Sequence, residues 1–354
     1  MERIKLLIFL QDGVGGAERV SVILGKSLDK SFFHVVFCVV EKGSKTSITD
    51  FIPDDYDVIR VLCRKPLKIM CQMYRVIRQE KPHVVFSSVM YLNTKILPLR
   101  LMFPKTRFVI RCENYLYTFS RSQHFRVGLT YRWADAIIAQ TQEMADELVD
   151  QLHIDRRKTM VIQNPVDSEL IDKMTADDVN PYPDNKKKRF AASGRFTYQK
   201  GFDLLIRAFK KVSDRKDDVE LYIIGDKDYA SGTVFQEIES ESRKMGIDHL
   251  VHCVGYQKNP YLYIKHANCF VLSSRWEGLP NVLLEALYLG TPVAAFKCVP
   301  VIERIVDDGS NGFLAEKEDV NSLCNAMQKA ITRGRVKNAY HSSAISDFAR
   351  IVQG

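Results

Sequence analysis

The chain has 354 residues, 46% of them hydrophobic, and a formal net charge of +8; that excludes a disordered or fibrous protein and predicts one very large or two ordinary globular domains. The charge is uneven: residues 1–165 hold 25 Lys+Arg against 17 Asp+Glu, and the remainder holds 26 of each. A basic half beside a balanced half fits an anionic partner such as an anionic membrane surface, a phosphorylated lipid or nucleic acid, and equally fits ordinary surface charge.

The start, "MERIKLLIFLQDG", has a short apolar run and no small-residue cleavage site, and it reads as a first strand rather than a secretory leader. No apolar run approaches the roughly 20 residues of a membrane-spanning helix. Strands are predicted at 4–10, 34–40, 58–62, 83–87, 107–111, 136–140 and 159–162, with helices near 17–29, 66–79, 91–102, 122–133 and 141–151. The stretch "NPVDSELIDKMTADDVNPYPDNKKKR" has the proline, asparagine and charge content of a linker. The rhythm then restarts, with strands near 189–193, 219–224, 250–254, 268–273, 292–296 and 312–315, and helices near 202–214, 233–246, 280–289 and 318–332. Strand–helix alternation builds parallel sheets covered on both faces. The expected class is α/β, with two doubly wound Rossmann-like domains facing across a cleft. The expected limits are 1–165, a linker at 166–188, a second domain at 189–340, and a segment at 341–354 returning toward the first. The eight cysteines show no CxxC spacing and read as reduced, buried thiols.

Ligands of open α/β sheets bind beyond the carboxyl ends of the strands, and the motifs fall there. In "SSRWEGLPNVLLEALYLGTP", Ser273 ends a strand, Gly278 makes a turn, and Pro280 suits the first turn of a helix. The amides of Leu279, Asn281 and Val282 then form a helix N-terminus fit for phosphate or sugar oxygens. Glu285 stands one turn in, among Val282, Leu283, Leu284, Ala286 and Leu287. A carboxylate there needs a partner, and the two hydroxyls of a ribose diol are one; an arginine from a neighbouring helix is the plainer one. In "SGRFTYQKGFDLL", Arg195 and Lys200 flank a loop after a strand. Fixed cations there would neutralise a departing diphosphate, unless they are solvated loop charges. In "FLQDGVGGAERV", Gly13 and Gly15 match a dinucleotide fingerprint, but Glu18 occupies its third glycine position, which argues against a dehydrogenase. Gly15 and Gly16 let a ligand approach the backbone, and Glu18 caps the helix or holds a ligand hydroxyl. Asp226 and Asp228 in "GDKDY" are spaced to hold a divalent cation, though Lys227 between them favours a solvated turn. No histidine has metal-ligand spacing, and His83 and His252 read as structural. Ten basic residues, Arg60, Arg64, Lys65, Lys68, Arg75, Arg78, Lys95, Arg100, Lys105 and Arg107, interleave with apolar ones in the manner of helices resting on an anionic bilayer or of ordinary wet helix faces. No recognised nucleic-acid module is present.

Taken together, "EGLPNVLLEALYLGTPV", "SGRFTYQKG", "GVGGAERV", "AQTQEMADEL", "NPVD" and "IVDDGSNGFLAEKEDVNSL" resemble retaining glycosyltransferase family 4, of the GT-B fold, in members that build bacterial polysaccharides and lipid-linked oligosaccharides. The resemblance covers nearly the whole chain and is weaker between about 42 and 106. It implies a nucleotide-sugar donor, most often UDP-linked, transfer with retention to a saccharide or polyprenyl-diphosphate-linked acceptor, no required metal or other cofactor, and a cytoplasmic place, peripheral on the inner face of the membrane. Carried over by residue, Glu285 would hold the ribose. Glu277 and the backbone of Gly278, Leu279, Pro280 and Asn281 would hold the donor sugar. Arg195 and Lys200 would clamp the diphosphate beside Gly194, Gly15 and Gly16, and Tyr256 would border the base. Many members carry a histidine after the strand matching "RFVI". Here Glu113 takes that place, with Arg111 close by, either orienting the acceptor hydroxyl or forming a structural ion pair. An epimerase or phosphorylase on the same fold, or a non-catalytic nucleotide-binding scaffold, are the alternatives; an epimerase would turn over a nucleotide sugar with no acceptor.

Overall fold

Leu6 to Leu10 are apolar without alternation, and all five are fully buried, as expected of a strand covered on both faces. They form the centre of β1 (Ile4–Gln11) in a computed structural model that describes residues 3–13, 15–41, 47–62, 66–183, 186–226, 233–337, 340 and 342–354. The chain divides into two units, Met1–Pro165 with Ser342–Gly354, and Val166–His341.

In the first unit β1 is joined by β2 (Phe33–Glu41), β3 (Asp57–Leu62), β4 (Val84–Ser87), β5 (Arg107–Cys112), β6 (Ala136–Ala139) and β7 (Thr159–Val161). They form one parallel sheet in the order β3-β2-β1-β4-β5-β6-β7. The chain winds outward from β1 in one direction and then, from β4, in the other. The order therefore reverses between β1 and β4, and there the loops leaving the carboxyl ends diverge. Helices cover the sheet at Gly16–Lys26, Pro66–Glu80, Met90–Ile96, Arg121–Thr130 and Gln142–Leu152. Two predicted helices are shorter than expected. The one at 91–102 gives way to a 3-10 segment, Leu97–Met102, where Pro98 removes a backbone donor. The one at 122–133 gives way to a 3-10 turn, Tyr131–Trp133. The closing helix Ala344–Gln353 belongs to this unit: Phe348 meets Phe86 of β4 edge-to-face with centroids 4.9 Å apart, and Arg107 donates to the Ile351 carbonyl.

The second unit holds β8 (Lys188–Ser193), β9 (Val219–Ile224), β10 (Val251–Gly255), β11 (Cys269–Leu272), β12 (Val293–Phe296) and β13 (Gly312–Ala315), parallel in the order β10-β9-β8-β11-β12-β13. Its reversal lies between β8 and β11. Helices Phe202–Ser213, Val234–Lys244, Asn281–Tyr288 and Val320–Arg333 lie where the periodicity places them. Helices Ser168–Met174, Pro260–His266 and Pro300–Ile305 were not predicted. The first lies within the stretch read as a linker, where the Asp167 side chain accepts from the Leu170 amide.

The seven described cysteines are free, and Cys63 lies outside the described residues. Burial pushes the Cys38 and Cys112 thiols up to about 12. His83 Nδ1 accepts from the Lys5 amide at 2.9 Å and so ties β1 to the start of β4, and the His252 ring lies against that of Tyr222 in β9, with centroids 4.5 Å apart.

Candidate functional site

In the second unit, two loops leave the sheet side by side at its switch point. The first follows β8 through Gly194 to Lys200. The second follows β11 from Ser273 to Pro280. Gly201 joins the first loop to its helix at φ 61°, a conformation that favours glycine. A Cβ there would also strike the Ser273 carbonyl oxygen, so the two loops touch through bare backbone. They are then stitched together: Ser273 Oγ donates to the Lys200 carbonyl at 2.9 Å, the Arg275 amide to the Gln199 carbonyl at 2.8 Å, and Gln199 Nε2 to the Trp276 carbonyl at 3.0 Å.

This stitching brings Lys200 Nζ within 2.7 Å of Glu277 Oε1. Ser274 Oγ donates to the same oxygen at 2.6 Å. Both charged side chains are largely buried, 14% and 9% exposed, so their mutual attraction is weakly screened. Gly194 is packed against this lysine: a Cβ there would lie 3.0–3.2 Å from the Lys200 methylenes. Burial, then the charge of Glu277, pushes the Cys298 thiol up to about 12, so the thiol beside this pair is not a thiolate nucleophile.

Sequence reasoning missed Arg275. Its guanidinium makes a two-pronged bond to Asp203 at 2.9 and 2.7 Å, donates to the Tyr198 carbonyl at 2.8 Å, reaches Glu318 at 3.2 Å, and lies 3.8 Å from the Tyr198 ring centroid. Burial alone would push the Asp203 carboxyl up, but the hydrogen bonds and charge of Arg275 outweigh it and hold it below the usual range. Arg275 thus pins the Lys200 loop, the start of its helix and the Glu277 loop to one another. The available signal was an arginine inside "SSRWEG" at the end of a strand, but the partner Asp203 is 72 residues away.

Arg195 is exposed on the β8 loop. Tyr256 stands half exposed just past β10. Leu279 and Pro280 are buried, and Gly278 and Asn281 are partly so. Pro280 is the residue before the helix rather than its first turn, at φ −74° and ψ 103°, and Asn281 is the first helical residue. No side chain caps this helix, and the Leu283 amide donates to the Pro280 carbonyl at 3.1 Å. Glu285 is buried on the next turn. Asp226 closes the described part of its loop, and Asp228 lies outside the described residues. Among the described residues no three His, Cys, Asp or Glu side chains converge as a metal site.

In the first unit the corresponding loop follows β1. Gly15 precedes the helix, Gly16 begins it, and the Glu18 carboxylate folds back over Gly15 so closely that a Cβ there would collide with it. Glu18 therefore sits at a helix N-terminus, where a carboxylate is favoured. Ser21, on the helix that follows this loop, and Ser88, just past β4, share a 2.7 Å hydroxyl bond. Arg111, expected on the acceptor side, is fully buried and donates to Asn164. With no exposed surface it presents nothing to an acceptor and acts instead as a strut under β5. Glu113, two residues on, is partly exposed at the carboxyl end of β5.

Known proteins are similar to this chain in sequence and fold. The family profile described as "Glycosyltransferase Family 4" matches residues 14–170, and that described as "Glycosyl transferases group 1" matches residues 175–346. An uncharacterized glycosyltransferase of Methanocaldococcus jannaschii is 30% identical over 251 residues, 66% of this chain and 61% of its own length. The N-acetylgalactosamine-N,N'-diacetylbacillosaminyl-diphospho-undecaprenol 4-alpha-N-acetylgalactosaminyltransferase of Campylobacter jejuni is 25% identical over 359 residues, 96% of this chain and 93% of its own. The crystal structure of Anabaena HepE in complex with UDP-glucose superposes with a TM-score of 0.80 over 99% of this chain and 98% of that one, at 18% identity. With the two profiles adjoining along its length and two parallel Rossmann-like sheets of the GT-B fold, the chain belongs to the glycosyltransferases that join a family 4 domain to a group 1 domain.

Proposed function

We propose that the protein transfers a sugar from a UDP-linked donor to a saccharide or polyprenyl-diphosphate-linked acceptor in cell-surface polysaccharide assembly, with retention of the anomeric configuration and without a metal. The observation that carries the reading is the Lys200–Glu277 pair on two loops at the switch point of the second sheet. An ammonium has three N–H donors. One meets Glu277, and the others are available to diphosphate oxygens. The recorded bonds to Glu277 fall on Oε1, and Oε2 is the acceptor we assign to a hydroxyl of the donor sugar. Arg195, exposed on the same loop as Lys200, adds a second cation for the phosphates. Glu285 takes the ribose diol, the backbone of Gly278, Leu279, Pro280 and Asn281 takes the sugar, and Tyr256 borders the base.

Two relatives support the acceptor class. One is the Campylobacter transferase above, and the other is named as a UDP-Gal:alpha-D-GlcNAc-diphosphoundecaprenol alpha-1,3-galactosyltransferase of Escherichia coli, 24% identical over 349 residues. In the reaction the bond from the anomeric carbon to the diphosphate oxygen breaks and the acceptor oxygen takes its place. Lys200 and Arg195 neutralise the diphosphate as its charge grows. The acceptor proton passes to the departing oxygen on the same face, which gives retention. We assign Glu113 to orienting the acceptor hydroxyl. A further part of the proposal is that the protein works in the cytoplasm, on the inner face of the membrane.

The test is release of nucleoside diphosphate from a panel of UDP- and GDP-sugars, with and without polyprenyl-diphosphate saccharides, in the presence of EDTA. Acceptor-dependent release of UDP in EDTA is expected. Turnover of the donor without any acceptor would favour an epimerase, and restoration by Mn²⁺ alone would bring Asp226 and Asp228 into the site.

A further inference from the structure

Of the ten basic residues singled out from the sequence, three are held by partners within the first unit. Arg100 is held by Asp135 at 2.8 and 3.1 Å, Arg60 reaches Glu41 at 3.3 Å, and Arg107 is held by the closing helix. Arg64 and Lys65 lie outside the described residues. The helix Pro66–Glu80 buries Ile69, Met73, Val76 and Ile77 and turns Lys68, Arg75 and Arg78 to solvent, the ordinary pattern of a wet helix face.

The helix Arg121–Thr130 is different. Its inward residue Val127 is fully buried, while Phe125 is 72% and Leu129 47% exposed. Arg121, Phe125, Leu129 and Arg132 follow one another at spacings of four, four and three, so they share one helical face. Arg126 flanks it. Arg126 and Arg132, the latter on the 3-10 turn that follows, spend one N–H each on a backbone carbonyl of this helix. Among the described residues none of the three arginines makes an ion pair. No acidic residue occurs from Asn114 to Ala134. The helix Met90–Ile96 packs beside this one, and Lys95 there is close enough to Arg126 that burial, then the arginine's charge, lowers its pKa. The 3-10 segment that follows leaves Leu101 72% exposed. A capping box at Ser120 and Gln123, with bonds of 3.4 and 2.8 Å, fixes the start of the helix, so the face is presented by a built element.

We propose that this face is where the protein rests on an anionic lipid bilayer, with Phe125 and Leu129 entering the headgroup–acyl boundary and Arg121, Arg126 and Arg132 meeting lipid phosphates. Two exposed apolar side chains at i and i+4, flanked by cations on a segment without acids, match an interface that is apolar at depth and negative at its surface. Single-stranded nucleic acid would reward the cations and stack a base on Phe125, but it would leave Leu129 and Leu101 unburied. The purpose of such docking rests on the lipid-linked acceptor reading; the docking itself does not.

The test is therefore made without donor or acceptor. The full chain is sedimented with vesicles of phosphatidylcholine and phosphatidylglycerol, and with phosphatidylcholine alone. The expected result is salt-sensitive sedimentation with the anionic vesicles only. The triple variant Arg121→Gln, Arg126→Gln, Arg132→Gln should partition about a hundredfold more weakly, and Phe125→Ser with Leu129→Ser about tenfold more weakly, each at an unchanged melting temperature. Wild-type protein that stays in the supernatant, or variants that sediment as wild type does, would overturn the proposal. So would a vesicle-free dimer that Phe125→Ser dissolves, since the face would then belong to a second copy of the chain. Failure of the sugar-transfer assay with intact vesicle binding would count against the transferase reading alone.

Discussion

Lys200 and Glu277, 77 residues apart, are joined by a 2.7 Å ion pair at the switch point of the second sheet. Neither charge is there for surface solvation, since each is mostly buried, and each has a donor-binding role in the proposed function. The pair holds the cation in position before any diphosphate arrives, which is how an electrostatic site avoids reorganisation during reaction.

The first prediction concerns the proposed donor site. Lys200→Ala should lower turnover by about 10²–10³ with the fold retained, and Glu285→Ala should do likewise by removing the ribose acceptor. Sugar transfer and a melting curve measured on the same preparation check it. Near-wild-type transfer in either variant would count against the roles given to these residues.

A second prediction separates position from chemistry. Arg275 touches no proposed substrate atom, yet it fixes the loops that carry Lys200 and Glu277. Lysine keeps the charge but cannot form the two-pronged bond to Asp203 together with the bond to the Tyr198 carbonyl. Arg275→Lys should therefore cost about 1–3 kcal/mol of stability and raise KM for the donor more than it lowers kcat. Urea unfolding and steady-state kinetics give the two readouts. A kcat loss with KM unchanged would argue for direct participation instead.

A third prediction concerns pH. The Asp203 carboxyl is held below its ordinary value by Arg275, against the opposing effect of burial. A depressed carboxylate stabilises the fold above its unfolded pKa of about 3.9 and loses that contribution as pH falls through the lower, folded value. Wild type should thus melt higher than Asp203→Asn at neutral pH, and the gap should close below about pH 4. A gap independent of pH would show that the aspartate acts by shape alone.

Much of the fold was legible because the central strands are apolar runs: "LLIFL" and "FVL" are buried throughout. The helices at Ser168–Met174, Pro260–His266 and Pro300–Ile305 were hidden for a common reason. Each has seven residues or fewer, too short for a 3.6-residue period to show. Two of them begin on a proline, which reads as a breaker until the helix start it favours is seen. The loops of the site were legible from strand ends and glycines. The binding together of Arg275 and Asp203 was not, because a contact across 72 residues leaves no local pattern. Arg111 was misplaced because nearness in sequence to the residue that replaces a family histidine says nothing of burial: Arg111 lies within β5 with no exposed surface, while Glu113 lies just past the strand end and is partly exposed.

A fourth prediction concerns the closing helix. Phe348 is fully buried against Phe86. Phe348→Ala should lower stability by about 3–5 kcal/mol through the cavity it leaves, measured by denaturant unfolding of the full chain. A change under about 1 kcal/mol would show that the helix is an appendage and not part of the first unit's core.

The central claim is that the loops after β8 and β11 hold a nucleoside diphosphate through Lys200. Its most direct test is calorimetric titration of the full chain with UDP, beside Lys200→Met. A saturable single-site isotherm for wild type, weakened at least about tenfold by the loss of the cation, is the predicted result. Equal affinity in the two proteins, or no heat with either UDP or GDP from well-folded wild type, would contradict it.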